Sequence, residues 1–183
     1  MAECKVTAGI DNDCADLISV GGLDGDFWIG YITDLDTQIS LAQVADINTI
    51  DFGGYGGLYK FSGAKFSHSA GASLVVTQGG NKHWTHTLNV KLATKSTSDD
   101  VQMQYLETGR KIFAIIQDNN NNFFILGAGN GLSANAADWQ TGETAESDTT
   151  DTVTLAGAEK TKPLRFNVGS VTATLARLAD YEI

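Results

Sequence analysis

The chain has little of what several protein classes depend on. It holds two cysteines, Cys4 and Cys14, in 183 residues. A structural zinc site needs four ligands, and no nearby His or Cys supplies the missing two. The pair reads either as two free thiols or as a possible disulfide, Cys4 with Cys14, closing a small loop. Lys and Arg together number 12 against 22 Asp and Glu, a net charge of −10. A protein that grips DNA sets clustered Lys and Arg against the phosphates, and that basic footprint is missing. No stretch approaches the ~20 apolar residues that span a bilayer. Met1-Ala2-Glu3-Cys4-Lys5 lacks a basic region leading into an apolar core, so no secretory signal is expected and the product is expected to begin in a cytoplasm. There is one proline, Pro163, and no internal repeat of fixed period.

Apolar residues make up 42% of the chain, enough for a packed core. The length fits one β-rich domain over 1–183, with 1–23 as an extended N-terminal arm. Charge is uneven. Residues 1–36 hold eight acids and one base, residues 37–110 five acids and six bases, and residues 111–183 nine acids and five bases. Such a surface argues mainly for solubility.

Residues 82–131 organise the pattern. Trp84, His86, Leu88, Val90 and Leu92 alternate with His83, Thr85, Thr87, Asn89 and Lys91, the period of a half-buried strand. Ser96, Thr97 and Ser98 offer helix caps, and Asp99 and Asp100 suit a helix start. Val101, Tyr105 and Leu106 fall at helical spacing and Gly109 closes the segment, predicting one short helix over about 97–109. The continuous apolar run over 112–116 predicts a strand covered on both faces. Four asparagines, 119–122, supply a turn, and 123–126 returns as the partner strand.

Around this unit, residues 26–32 read as a strand, and residues 65–77 read as a strand forming a long hairpin with 82–94. Ala70-Gly71-Ala72 marks a bulge or close approach within it. Residues 38–50 are ambiguous between helix and strand. Residues 51–57 form a glycine-rich loop around Tyr55, and residues 132–150 read as a long surface loop containing Trp139. Residues 151–156 and 164–168 read as strands, and 171–178 as a closing strand. The expected fold is mainly β, an antiparallel β-sandwich or barrel with one short helix and long loops.

Chemistry is sparse. His83 and His86 are three apart, which on a strand places them on opposite faces, and His68 stands alone. Asp11-Asn12-Asp13 with Asp16 begins like a calcium loop, but Asp16 occupies the glycine position and Gly22 the glutamate position. Gly127-Ala128-Gly129-Asn130-Gly131 resembles a phosphate-binding loop, yet no lysine follows and the spacing fits neither glycine fingerprint, so a turn leaving a hairpin is expected. No Gly-x-Ser-x-Gly elbow is present. No catalytic residue, metal or cofactor is expected, and the chain is not expected to be an enzyme. Trp28 and Trp84 read as core. Trp139 and Tyr55 read as possible partner anchors.

The order of these elements resembles the major tail tube proteins of tailed bacteriophages, a family that includes the inner tubes of contractile injection machines. The residues that carry the resemblance are Thr85-His86-Thr87-Leu88-Asn89-Val90, the helix near 99–108, Lys111-Ile112-Phe113-Ala114-Ile115-Ile116, and the hairpin 118–126 leading into 127–132. The segment 4–22 also resembles short virion proteins of phages infecting Bacteroidetes. The resemblance implies homo-oligomeric, hexameric rings stacked into a tube, assembled in the host cytoplasm and located in the virion beside other virion proteins. DNA would pass through an acidic lumen without specific binding, and no membrane partner is implied. The first strand of the 82–131 unit would pair into a sheet shared between subunits, with its helix covering the outside of that sheet. Two other readings fit the profile. One is a capsid decoration, head-fibre or connector protein. The other is a carbohydrate-binding or hydrolytic β-domain using Tyr55 and Trp139 as sugar platforms.

Overall fold

A computed structural model describes residues 21–39, 46–54, 56–93, 96–109, 111–141 and 149–183. Two antiparallel sheets stack as a sandwich and do not close into a barrel. The strands are β1 (Leu23–Tyr31), β2 (Tyr59–Ser62), β3 (Ser69–Val76), β4 (Lys82–Leu92), β5 (Ile112–Asp118), β6 (Phe123–Leu126), β7 (Ser133–Gln140), β8 (Thr150–Glu159) and β9 (Leu164–Phe166). The helices are α1 (Thr97–Thr108) and α2 (Val171–Tyr181). One sheet runs β2-β1-β5-β6-β9 and the other β3-β4-β8-β7.

The apolar run of β5 explains the layering. Ile112, Ala114 and Ile116 point between the sheets and meet Leu88, Val90, Val153 and Leu155. Phe113 and Ile115 point the other way, into a second core with Trp28, Leu58, Phe166 and Leu178. The five-stranded sheet is therefore covered on both faces, as continuous hydrophobicity requires. Burial at ~25 cal/mol per Å² of apolar surface makes this central sheet the main source of stability. Among the described residues nothing covers the outer face of the four-stranded sheet, and its strands alternate buried and partly exposed residues.

The expected helix is present. Ser96 caps it by accepting the Asp99 N–H at 3.2 Å, worth ~1 kcal/mol. Its buried residues are Met103 and Leu106, while Val101 and Tyr105 are exposed. Met103 and Leu106 join the core between the sheets. The helix therefore packs on the core side of the four-stranded sheet, against β7 and β8.

Two expectations need correction. Residues 171–178 form α2, not a closing strand. Ser170 caps it through the Ala173 N–H, and Thr174, Leu178 and Tyr181 recur at helical spacing over the second core. Val171, Thr172 and Thr174 are β-branched, but packing of one helical face decides the outcome. Residues 132–150 are not a long loop, because β7 occupies Ser133–Gln140. Its small residues lack alternation because the strand lies at an edge and covers little core. Within the four-stranded sheet β4 is an interior strand, paired with β3 on one side and β8 on the other.

The asparagine turn joins β5 to β6. The Asp118 Oδ1 accepts the N–H groups of Asn120 and Asn122, and Asn121 takes the left-handed conformation at φ 63°, which asparagine tolerates. Asn119 donates through its amide to the Gly21 carbonyl, tying the turn to the start of β1.

Candidate assembly surface

The two sheets treat their edges differently. The five-stranded sheet ends in short strands, four residues in β2 and three in β9. The Ile47 N–H donates to the Arg165 carbonyl and the Asn167 N–H to the Ile47 carbonyl, so the outer side of β9 is occupied. Short or covered edges are the usual protection against strand pairing between chains. Among the described residues the four-stranded sheet has neither protection. Its edges, β3 and β7, are eight residues each. Among the described residues no strand pairs on the outer side of either.

The side chains of β3 do not blunt it. Ser69-Ala70-Gly71-Ala72-Ser73-Leu74-Val75-Val76 contains no charge and no proline. Leu74 and Val76 are 47% and 58% exposed. On β7 the charged residue is Asp138, and Trp139 is 60% exposed. Two long edges rich in small and apolar residues are a surface built for pairing, or a hazard if unpaired.

The uncovered face between these edges is rich in hydroxyls. Cross-strand register places Ser69, Asn89, Thr154 and Ala136 in one row and Gly71, Thr87, Ala156 and Ser133 in the next. Lys91, Thr152 and Asp138 form a third row. The Thr154 hydroxyl donates to the Asn89 side-chain oxygen at 2.8 Å, and the Asn89 amide donates to Ser69 at 3.1 Å. Three strands are thus linked across this face by side-chain hydrogen bonds.

A buried polar cluster positions β7. The chain must cross from β6 in one sheet to β7 in the other, and residues 127–131 make that crossing. Gly127 and Gly131 take left-handed conformations at φ 72° and 89°, which glycine adopts without strain. The turn aims three successive N–H groups at one carboxylate. Glu159 Oε1 accepts from Asn130 N–H at 2.8 Å, from Gly131 at 3.0 Å and from Gly129 at 3.3 Å. Such a concave set of amides is an anion site, and this chain fills it with its own Glu159, which is 2% exposed. His86 completes the cluster. Its Nδ1 accepts the Gly127 N–H at 3.2 Å, so Nε2 carries the proton and donates to the Thr161 carbonyl at 2.9 Å. Burial pushes the His86 pKa below its ordinary value, against the opposing pull of that carbonyl and of Glu159.

The remaining sequence candidates do not converge. His83 lies on the face opposite His86. His68 is buried against Phe27, its Nδ1 accepting the Lys91 N–H. Among the described residues no group of three or more His, Cys, Asp or Glu is placed to hold a metal. Cys4, Cys14, Tyr55 and the acidic segment 11–16 lie outside the described residues. Trp28 is buried and its Nε1 donates to Glu182 at 2.8 Å. Trp84 is half-buried beneath the Lys162 ammonium, less enclosed than a core residue. Trp139 stands exposed on β7, at an edge of the sheet.

No protein-family model, no curated protein and no solved structure matches the chain. Sequence reasoning missed β7 and the role of Glu159. The signal for Glu159 was available, because Asp151, Val153, Leu155, Gly157 and Glu159 share one strand face, so a carboxylate there had to find donors inside.

Proposed function

We propose that this chain is a self-assembling structural subunit whose copies join edge to edge through the four-stranded sheet, forming rings that stack into the tail tube of a virion. The observation that carries the reading is the pair of long, open edges on one sheet whose opposite face is already committed to the core. Within that sheet β3 and β7 run antiparallel to each other, since three antiparallel pairings separate them. The β7 edge of one copy therefore meets the β3 edge of the next as another antiparallel pair. This is a heterologous contact, and such contacts close into rings when the rotation permits. Closure removes both edges.

The layering also sets the direction of curvature. The five-stranded sheet and α2 add bulk to one side only, so that side belongs outside, where circumference is greater. The hydroxyl-rich face then lines the lumen. Its charges include Lys91 on β4 and Asp138 on β7, one on either side of Thr152, and among the described residues no cluster of cations is there to hold a polyanion. The net charge of −10 disfavours DNA adhesion elsewhere on the surface. DNA passage without binding follows from both.

Electron microscopy of the purified protein tests this reading. Rings or stacked tubes support it. Isolated monomers or compact trimers at high concentration overturn it in favour of a capsid decoration or connector role.

A further inference from the structure

We infer that Trp139 sets the register between copies, seating its indole over Ala70 and Ala72 of the next chain and thereby fixing a stagger that closes the wall. The inference rests on the edge-pairing reading above and specifies its contact.

Trp139 pairs with Asp151, which shares its face with Val153 and Leu155, so Trp139 projects on the side facing the other sheet. On β3 that same side carries Ala70, Ala72, Leu74 and Val76, opposite Leu88, His86, Trp84 and Lys82. Paired strands must keep matching faces, so Trp139 can sit opposite His68, Ala70 or Ala72, in steps of two. Opposite Ala70, it covers two methyl side chains flanking Gly71, the one place on β3 with room for an indole. The same register sets Asp138 opposite Gly71, where no side chain opposes its charge. A Cβ at Gly71 has open space.

Register also determines tilt. In its own sheet Trp139 lies level with Leu92, through Asp151, while Ala70 lies level with Leu88. Pairing Trp139 with Ala70 therefore staggers each four-stranded copy by about four residues, ~13 Å of rise against ~19 Å of sheet width. The resulting strand tilt is about 35°, that of a closed barrel whose stagger equals its strand number. The Ala72 register requires a tilt of about 47° and the His68 register about 20°, both outside the ~35–45° of closed barrels. The bulge between Ala134 and Ala136 keeps the faces matched to the far end, bringing Ala134 opposite Leu74 and burying it. The occupant of β3 is thus β7 of a second copy.

Cysteine pairs on the exposed face read the register directly. In a Cys4→Ser/Cys14→Ser background, Asp138→Cys is combined with Ser69→Cys, Gly71→Cys or Ser73→Cys and oxidised mildly. The expected result is a covalent ladder of oligomers from the Gly71→Cys combination at least ten-fold faster than from the other two. A faster ladder from either of the others overturns the inference, as does no ladder from any of the three. If particles assemble while the Gly71→Cys pair stays unlinked, the register fails and the assembly reading stands; if nothing assembles, both fail. Trp139→Ala in the native chain is expected to raise the assembly concentration at least ten-fold, whereas Trp139→Phe recovers most of it.

Discussion

Glu159 holds Asn130 in place: the buried carboxylate of β8 accepts the Asn130 backbone N–H at 2.8 Å and the flanking Gly129 and Gly131 N–H groups with it. The crossing that delivers the chain to β7 depends on this contact. Gly157, on the same strand, lets the crossing pass, because a Cβ there would fall on the Gly131 carbonyl oxygen.

Glu159→Gln is expected to destabilise the fold by ~1–3 kcal/mol, because three aligned donors lose a charged acceptor and face an amide in its place. The urea midpoint should fall without a change of slope. An unchanged midpoint would mean that the nest is not held by charge.

Acid should weaken the protein through its histidines. Burial depresses the pKa of both His68 and His86. The folded state favours the neutral rings, so the unfolded chain binds more protons. The stabilisation is complete above the unfolded value of about 6.5 and is lost as pH falls through the depressed folded values. Urea midpoints should decline below about pH 6.5, and the decline should be shallower in His68→Gln/His86→Gln. An identical slope in that variant would contradict the assignment.

Asp151 acts in the opposite sense. It is buried, its Oδ1 has no hydrogen-bond partner, and burial raises its pKa, with Asp100 and Asp138 adding to the effect. The folded state therefore carries a charge it disfavours at neutral pH, a penalty relieved as pH falls through the raised folded value. Asp151→Asn should raise the midpoint at pH 7 by the equivalent of about 1 kcal/mol, and the gain should shrink toward pH 4. A lower midpoint at pH 7 would show that the carboxylate is needed.

Much of the architecture was legible where burial imposes a period. Residues 82–92 alternate and form β4; residues 112–116 are continuously apolar and lie between two cores; Ser96 with Asp99 announces α1. Legibility failed where burial is weak or shared. The small residues of β7 carry no alternation because they cover almost nothing within one chain. The weak alternation over 171–178 reads as a strand, while the 174, 178, 181 spacing is the one that packing uses. At the candidate surface, Trp139 was visible as a lone aromatic among small polar residues. The open edges were not, since the strand order that makes β3 and β7 the outer strands exists only in three dimensions.

The central claim is that each chain uses two different edges, β3 and β7, to join its neighbours. The most direct test mixes two blocked variants. Leu74→Lys/Val75→Lys charges β3 and Ala136→Lys/Ala137→Lys charges β7, all at positions exposed in the single chain and both by the device that natural edges use. The measurement is mass by analytical ultracentrifugation. Each variant alone should remain at the 19.4 kDa of one chain, and an equal mixture should form a dimer of twice that mass and nothing larger. A variant that dimerises alone, or a mixture that stays monomeric, would contradict the account.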